Sequence, residues 1–225
     1  MFMKQSEKLL IGSRYKNLIN IDFVKNVEYI PDNPFIDNRL SGHVDLSVFS
    51  DGKGTVFTAK HLNIPNSIVV KEDQSPEYPN DVQLNACIVG NNVILNEKYV
   101  SREILNHLEA GKWNIIDVNQ GYAKCSTLVI DDNSIITSDT GIYKAAQANG
   151  IDSLVICPGY ISLEGYDYGF IGGSGFVYDD TVYFTGILNN HPNMVDITQF
   201  VTNKGLTIKT LTNRQIFDIG GVVFI

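Results

Sequence analysis

Apolar residues in this chain fall in short runs separated by turns rich in Asn, Asp and Gly, and the runs recur in one order. The recurring unit reads as an entry loop, a strand, a tight turn, a second strand, a helix and a short closing strand. In the first full copy, GHVDLSVF (residues 42–49) alternates apolar residues at Val44, Leu46 and Val48, which predicts a strand. A glycine turn then leads into TVFTAK (55–60) and a segment ending in SIVV (67–70). The second copy is DVQLNACIVG (81–90), a turn at Asn91-Asn92, VILN, a helix over 101–111 and NIIDV. Ser101 is the expected N-cap, Ile104, Leu105 and Leu108 form one helical face, and Gly111 is the expected C-cap.

The third copy runs from Leu128, Val129 and Ile130 through a turn at 131–133 to Ile135 and Ile136. A helix within 137–150 follows, with Asp139 or Thr140 as cap and Gly150 as stop, and then SLVIC. The fourth is GFIGGSGFVY (169–178), a turn at Asp179-Asp180, TVYFTG, a helix near 194–201 and LTIKTL. The fifth begins with IFDIGGVVFI and runs off the C-terminus, and its other half stands at the N-terminus: EKLLIGSR (7–14), a short helix over 17–25 and VEYIP (27–31). Aligning the last apolar residue of each first strand, Phe49, Val89, Ile130, Tyr178 and Phe224, gives a spacing of about 40 to 50 residues, within the range of repeat architectures. The expected fold is therefore α/β: a five-bladed α/β propeller forming one domain over residues 1–225, its ring closed by the N- and C-terminal strands in a single blade. An ordinary α/β sandwich with coincidental spacing is the alternative.

At 44% hydrophobic and 19% charged residues, the chain can bury a sizeable core and is too apolar to be disordered. No uninterrupted apolar run approaches the roughly 20 residues of a membrane helix. The opening MFMKQSEKLL lacks a long apolar segment of the secretory kind, so the expected location is cytoplasmic, with no membrane partner. Cys87, Cys125 and Cys157 cannot all pair within one chain, which fits a reducing compartment. The formal net charge of -8 argues against nucleic acid and toward a small molecule or a protein partner. Oligomeric state is left open.

If the five units are equivalent, the positions the same distance before each aligned apolar residue converge: His43, Gln83, Lys124, Gly172 and Asp218. Polar neighbours adjoin them at Asp45, Asn85, Asn119, Gln120, Ser126 and Asp167. Polar groups at the mouths of apolar strands mark a buried site, because each unpaired buried polar group costs on the order of 1 to 3 kcal/mol. Cys125 and His43 form the candidate reactive pair: a cysteine needs a base to become a strong nucleophile, and the same histidine can protonate a departing amine. Lys124, adjacent in sequence, is expected to lower the thiol pKa, and the bland alternative is that Cys125 is a small buried apolar residue. His61, His107 and His191 read as surface residues. His43-x-Asp45 is at most half a metal site, since no second cluster has ligand spacing, and neither a metal nor an organic cofactor is expected. GGSG at 172–175 matches neither a nucleophile elbow nor a dinucleotide loop, and reads as a tight strand entry.

At these residues the chain resembles the guanidino-group-modifying enzyme superfamily, the penteins, and within it the dimethylarginine dimethylaminohydrolases. GYAKCSTLVI is similar to the stretch around their nucleophilic cysteine and falls on Cys125; SGHVDLSVF is similar to that around their catalytic histidine and falls on His43. The chain looks circularly permuted relative to those enzymes, and a bacterial branch sharing VNQGYAKCST and GYDYGFIGG looks similar too. Where the family's guanidinium-binding acids would stand, this chain has Gly172, Gly173, Gln120 and Val222, while Asp45, Glu164, Asp167 and Asp218 could replace them if they point inward. The resemblance implies a five-bladed α/β propeller and a cysteine-dependent hydrolase or transferase acting on a small amidine- or guanidine-like substrate through a covalent intermediate. Cys125 and His43 would be catalytic, and Asp45, Gln83, Asn85, Asn119, Lys124, Asp167 and Asp218 would bind substrate. A non-catalytic scaffold that binds a protein or small ligand is the alternative.

Overall fold

The computed structural model describes residues 8–225; Glu7, which opens the expected N-terminal strand segment, lies outside the described residues. The chain runs through β1 (Leu9–Gly12), β2 (Val27–Ile30), β3 (Val48–Ser50), β4 (Val56–Thr58) and β5 (Ile68–Val69). It continues through β6 (Cys87–Val89), β7 (Asn92–Leu95), α1 (Arg102–Ala110) and β8 (Asn114–Asp117). Next come β9 (Thr127–Asp131), β10 (Ser134–Thr137), α2 (Thr140–Ala148) and β11 (Asp152–Val155). The final set is β12 (Gly175–Tyr178), β13 (Thr181–Phe184), α3 (Met194–Asn203), β14 (Thr207–Thr210) and β15 (Val223–Phe224).

These strands form three-stranded sheets in the orders β15-β1-β2, β3-β4-β5, β6-β7-β8, β9-β10-β11 and β12-β13-β14. In each, the middle strand is antiparallel to the strand that carries the entry loop and parallel to the other. A parallel return needs a crossover. Helices α1, α2 and α3 supply it in three sheets, whereas turns supply it between β4 and β5 and between β1 and β2. The expected helix over 17–25 is thus a succession of turns after a 3-10 turn at Ser13–Tyr15.

The middle strands explain the unbroken apolar runs. Successive side chains on a strand point to opposite faces, and here each face meets a different neighbouring sheet. Leu9 and Ile11 pack with Phe176 and Tyr183, whereas Leu10 packs with Val44, Val48 and Val223. Val93 and Leu95 join Phe49 and Phe57, while Ile94 joins Ile135 and Ile142. Ile136 turns the other way, into a cluster with Val182, Phe184 and Ile197.

Entry loops depart from expectation. Residues 42–47 are not a strand; Val44–Leu46 form a 3-10 turn, closed by Ser47 N–H donating to the Val44 carbonyl at 3.0 Å. In the second unit the strand begins only at Cys87. The reason is that polar side chains at these entries bond to neighbouring entries, so their backbones leave the ladder. The caps differ in detail. Asp139 caps α2 through Gly141 and Ile142 N–H at 2.8 and 2.9 Å. Ser101 stands at the N-cap of α1, but its hydroxyl donates to Glu72 and Glu103 instead of capping. Among the described residues no helix is long and apolar enough to cross a membrane.

The C-terminal strand pairs with β1 as the repeat required, Leu9 opposite Phe224 and Leu10 opposite Val223. Deleting residues 219–225 removes the buried Ile219, Val222 and Val223 and bares the β1 edge. At roughly 1.5 to 3 kcal/mol per apolar side chain, the loss rivals a typical total stability of about 5 to 15 kcal/mol. The expected outcome is aggregation or loss of cooperative unfolding, read by size-exclusion chromatography and urea titration; an unchanged monomer with an unchanged midpoint would contradict the pairing.

Candidate active site

Cys125 sits in the turn just before β9, only 2% exposed, and its surroundings come from several entry loops. Its thiol donates to Asp45 Oδ2 at 2.9 Å, a residue 80 positions away, and Asn85 Nδ2 lies 3.2 Å from its sulfur. Asn85 ties three loops together: its Oδ1 accepts the N–H groups of Lys124 and Cys125 at 2.8 and 3.2 Å, and its Nδ2 also donates to the Asp45 carbonyl at 3.1 Å. The Cys125 carbonyl accepts Gly173 N–H at 3.0 Å, and the Gly173 carbonyl accepts Ile219 and Gly221 N–H at 2.9 and 3.0 Å. His43 Nδ1 lies 4.0 Å from Asp218 Oδ1. His43 Nε2 and Asp45 Oδ1 are buried without a partner among the described residues.

Gly173 leaves room for a carboxylate. A Cβ built there would lie 1.9 Å from Asp218 Oδ1, so the space that a side chain at 173 would fill is held by Asp218. Asp218 is fixed in turn by Gly220 N–H and Phe170 N–H, each at 2.8 Å. Gly220 has φ +68, and a Cβ on it would stand 2.3 Å from the Cβ of His43. The acid that the sequence lacked at 172–173 therefore has a counterpart from the fifth entry loop. Gln120 and Val222 bring nothing comparable: Gln120 bonds Asp139 and Tyr122, and Val222 is buried in apolar packing.

Above Cys125 opens a cavity of about 250 Å³. His43, Cys125 and Asp218 form its buried floor. Leu40, Leu163, Phe170 and the ring of Tyr122 line its walls, and Tyr166, Asp167 and Tyr168 stand at its exposed mouth. The Tyr122 hydroxyl donates to the buried Asp81. A wider depression of about 480 Å³ beside Lys16, Tyr29 and Leu211 is lined by neither cysteine nor histidine.

Burial and the charges of Asp45 and Asp218 push the Cys125 thiol well above its ordinary range. This reverses the expected effect of Lys124, whose ammonium does not line the cavity and lies 3.7 Å from where a Cβ on Gly221 would stand. Burial, partly offset by His43 and Lys124, raises the Asp45 carboxyl to about 6. His43, Asp45 and Cys125 also present one ligand atom each within 4.8 Å of one another, a nitrogen, oxygen and sulfur set that could hold a transition metal. The spacing His43-x-Asp45 showed only two of the three.

Of the other residues singled out in sequence, Asn85, Asp218 and Asp167 reach the thiol or its cavity. Gln83 is bonded to Asp73 and Ser101, and Asn119 is exposed with its carbonyl accepting from Asn96, so neither is brought to the cavity. His107 bonds Asp51 at 2.9 Å, His61 is half-buried beside Phe35, and His191, expected at the surface, is buried with Nδ1 accepting Asn193 N–H. Sequence reasoning missed the aromatic walls; their signal was the density of aromatics in GYDYGF (165–170).

Residues 14–223 match the model of a family described as "Family of unknown function (DUF6873)". The chain belongs to that family. No curated protein matches it. Among solved structures, it is similar to dimethylarginine dimethylaminohydrolase in an adduct with S-methyl-L-thiocitrulline, at 10% identity and a TM-score of 0.58 over 100% of both chains. It is also similar to that enzyme from Pseudomonas aeruginosa, a cysteine-to-serine mutant complexed with citrulline, at 11% identity and a TM-score of 0.53, covering 89% of this chain and 81% of the other. At this level of identity the likenesses establish the fold alone, an α/β fold shared with dimethylarginine dimethylaminohydrolase.

Three consequences are measurable. Gly173→Ala should cost about 1 to 3 kcal/mol by overpacking, measured by urea unfolding, because Asp218 is short, buried and doubly bonded. At pH 7, iodoacetamide should alkylate exposed Cys157 well before Cys125, and Asp45→Asn should speed the Cys125 reaction by removing a charge that holds the thiol protonated; peptide mass mapping reads both. For Asp45 the folded-state pKa is raised from 3.8 to about 6, so its protonated form is favoured by folding. That stabilisation is present below about pH 4 and is lost as pH rises through 6. Between pH 4 and 7 the parent should lose on the order of 3 kcal/mol relative to Asp45→Asn, at 1.36 kcal/mol per pKa unit, seen in urea midpoints at the two pH values.

Proposed function

We propose that the chain is a cysteine-dependent enzyme acting on a small amidine- or guanidine-like cation, with Cys125 as nucleophile and His43 as proton carrier. The observation that carries this reading is the Cys125 thiol on the floor of a cavity, bonded to Asp45 and flanked by His43 and Asp218. The solved relatives are named for adducts and complexes of a dimethylarginine-processing enzyme, which supports the same kind of chemistry. The five sheets are read as blades of one ring in a single domain over 1–225. Five apolar clusters join neighbouring sheets in cyclic order, which supports that reading.

The raised thiol pKa fits a site that is silent until charged ligand arrives. An amidinium held beside Asp45 and Asp218 offsets the two carboxylates and favours the thiolate. The thiol proton passes to Asp45 Oδ2, toward which it already points. Sulfur then attacks the amidine carbon, forming the C–S bond as the C=N π pair moves to nitrogen. His43 protonates the departing amine as its C–N bond breaks, leaving a thioimidate on Cys125. Water, deprotonated by His43, adds to the same carbon; the C–S bond breaks, the thiol regains its proton, and an amide or urea departs. The competing reading, a non-catalytic ring, is favoured by the protonated, hydrogen-bonded resting thiol.

Labelling with 2-chloroacetamidine followed by mass spectrometry separates the two. Selective modification of Cys125 over Cys87 and Cys157 is expected, slowed about 10²-fold or more in His43→Ala. Labelling confined to exposed Cys157 would remove the enzymatic reading.

A further inference from the structure

The cavity also restricts which cation it can take, and this inference rests on the amidinium reading above. Among the described residues, those lining the cavity include the carboxylates of Asp167 and Asp218 and no lysine or arginine. Arg39, beside the mouth, spends one bond from each side-chain nitrogen elsewhere: Nε and Nη2 go to Asp37 at 2.9 and 2.6 Å, and Nη1 goes to the Gly165 carbonyl at 2.8 Å. Its guanidinium carbon lies 4.4 Å from the Tyr166 ring centre, so it holds the 165–166 segment of the rim. A carboxylate on the ligand would thus meet two lining carboxylates, Asp167 at the mouth and Asp218 on the floor, where His43 already stands 4.0 Å from Asp218 and Lys124 lies outside the lining, and a charge without a partner is disfavoured. Walls made by Leu163, Phe170 and Tyr122 instead suit an apolar substituent, and aromatic faces attract cations. The volume, about 250 Å³, lies below the roughly 300 to 1,000 Å³ of pockets for drug-sized molecules.

We propose that the ligand of this site is a compact amidinium or guanidinium cation that carries no carboxylate and bears a short apolar or aromatic substituent. An amino acid with a guanidinium side chain would be excluded by its carboxylate, not by its cationic end.

The test is equilibrium binding by calorimetry to the full-length Cys125→Ala protein, which cannot turn over, using benzamidine, butylguanidine and L-arginine. Benzamidine and butylguanidine should bind at least 10-fold more tightly than arginine. Benzamidine should also slow 2-chloroacetamidine labelling of Cys125 in the parent protein, which places it in this cavity. Arginine binding as tightly as butylguanidine overturns the proposal while leaving the amidinium reading intact. Benzamidine binding that leaves Cys125 labelling unaffected overturns it as well. Absence of binding by all three also overturns it, and the chloroacetamidine labelling by itself then decides whether the amidinium reading survives.

Discussion

Each middle strand of this fold must satisfy two cores at once, and that constraint organises everything else. Leu9, Leu10 and Ile11 are all fully buried although they alternate in direction, because each side of β1 meets a different sheet. The same holds for Val93, Ile94 and Leu95 on β7 and for Val182, Tyr183 and Phe184 on β13. A strand buried on both faces has no position left for a charged side chain, and the polar ones on these strands, such as Thr58, Thr137 and Thr181, are buried hydroxyls. The charged and reactive groups of the site therefore come from the loops that enter the sheets, where backbones need not follow the ladder. Those loops meet one another, so His43, Asn85, Cys125, Gly173 and Asp218 come together from distant parts of the chain.

The meeting point is electrostatically costly. Two buried carboxylates stand near a buried thiol, and burial raises both the Asp45 carboxyl and the Cys125 thiol. Backbone and amide donors steady the cluster: Asn85 spans Asp45 and the Lys124-Cys125 backbone, and Asp218 takes N–H groups from Phe170 and Gly220. What is left unpaired is directional. His43 Nε2 and Asp45 Oδ1 lack partners among the described residues, and a buried polar atom of that kind calls for a strained, catalytic or solvent-mediated explanation. The thiol is thus held by its neighbours rather than activated by them.

The cavity over that floor is made largely by one irregular segment, residues 163–170, which contributes Leu163, Tyr166, Asp167, Tyr168 and Phe170. A loop without a ladder keeps its shape only through side chains. Arg39 bonds the Gly165 carbonyl and lies over Tyr166, while Phe170 N–H is tied to Asp218. The rim and the floor are therefore joined through a carboxylate that belongs to both.

The repeat was legible in the sequence because its signals are local: apolar runs, turn residues at fixed intervals, and helix caps such as Asp139 and Gly150. The pairing of the two termini followed from the same count, since an incomplete unit at one end was matched by its missing half at the other. His43 was legible as one of the equivalent positions in that repeat, and Cys125 as the residue directly after another, Lys124. Side-chain direction and dielectric surroundings were not, because they depend on residues brought close only by packing. Lys124 adjoins Cys125 in sequence, yet the thiol's protonation is set by burial first and then by Asp45 and Asp218 from other loops. The glycine pair at 172–173 looked like a missing charge, and only the tertiary structure shows Asp218 occupying the space that Gly173 leaves open. Sequence by itself determined where polar residues interrupt the apolar pattern; the packing of sheets decided which of those residues share one cavity, since charge and burial act through space and not along the chain.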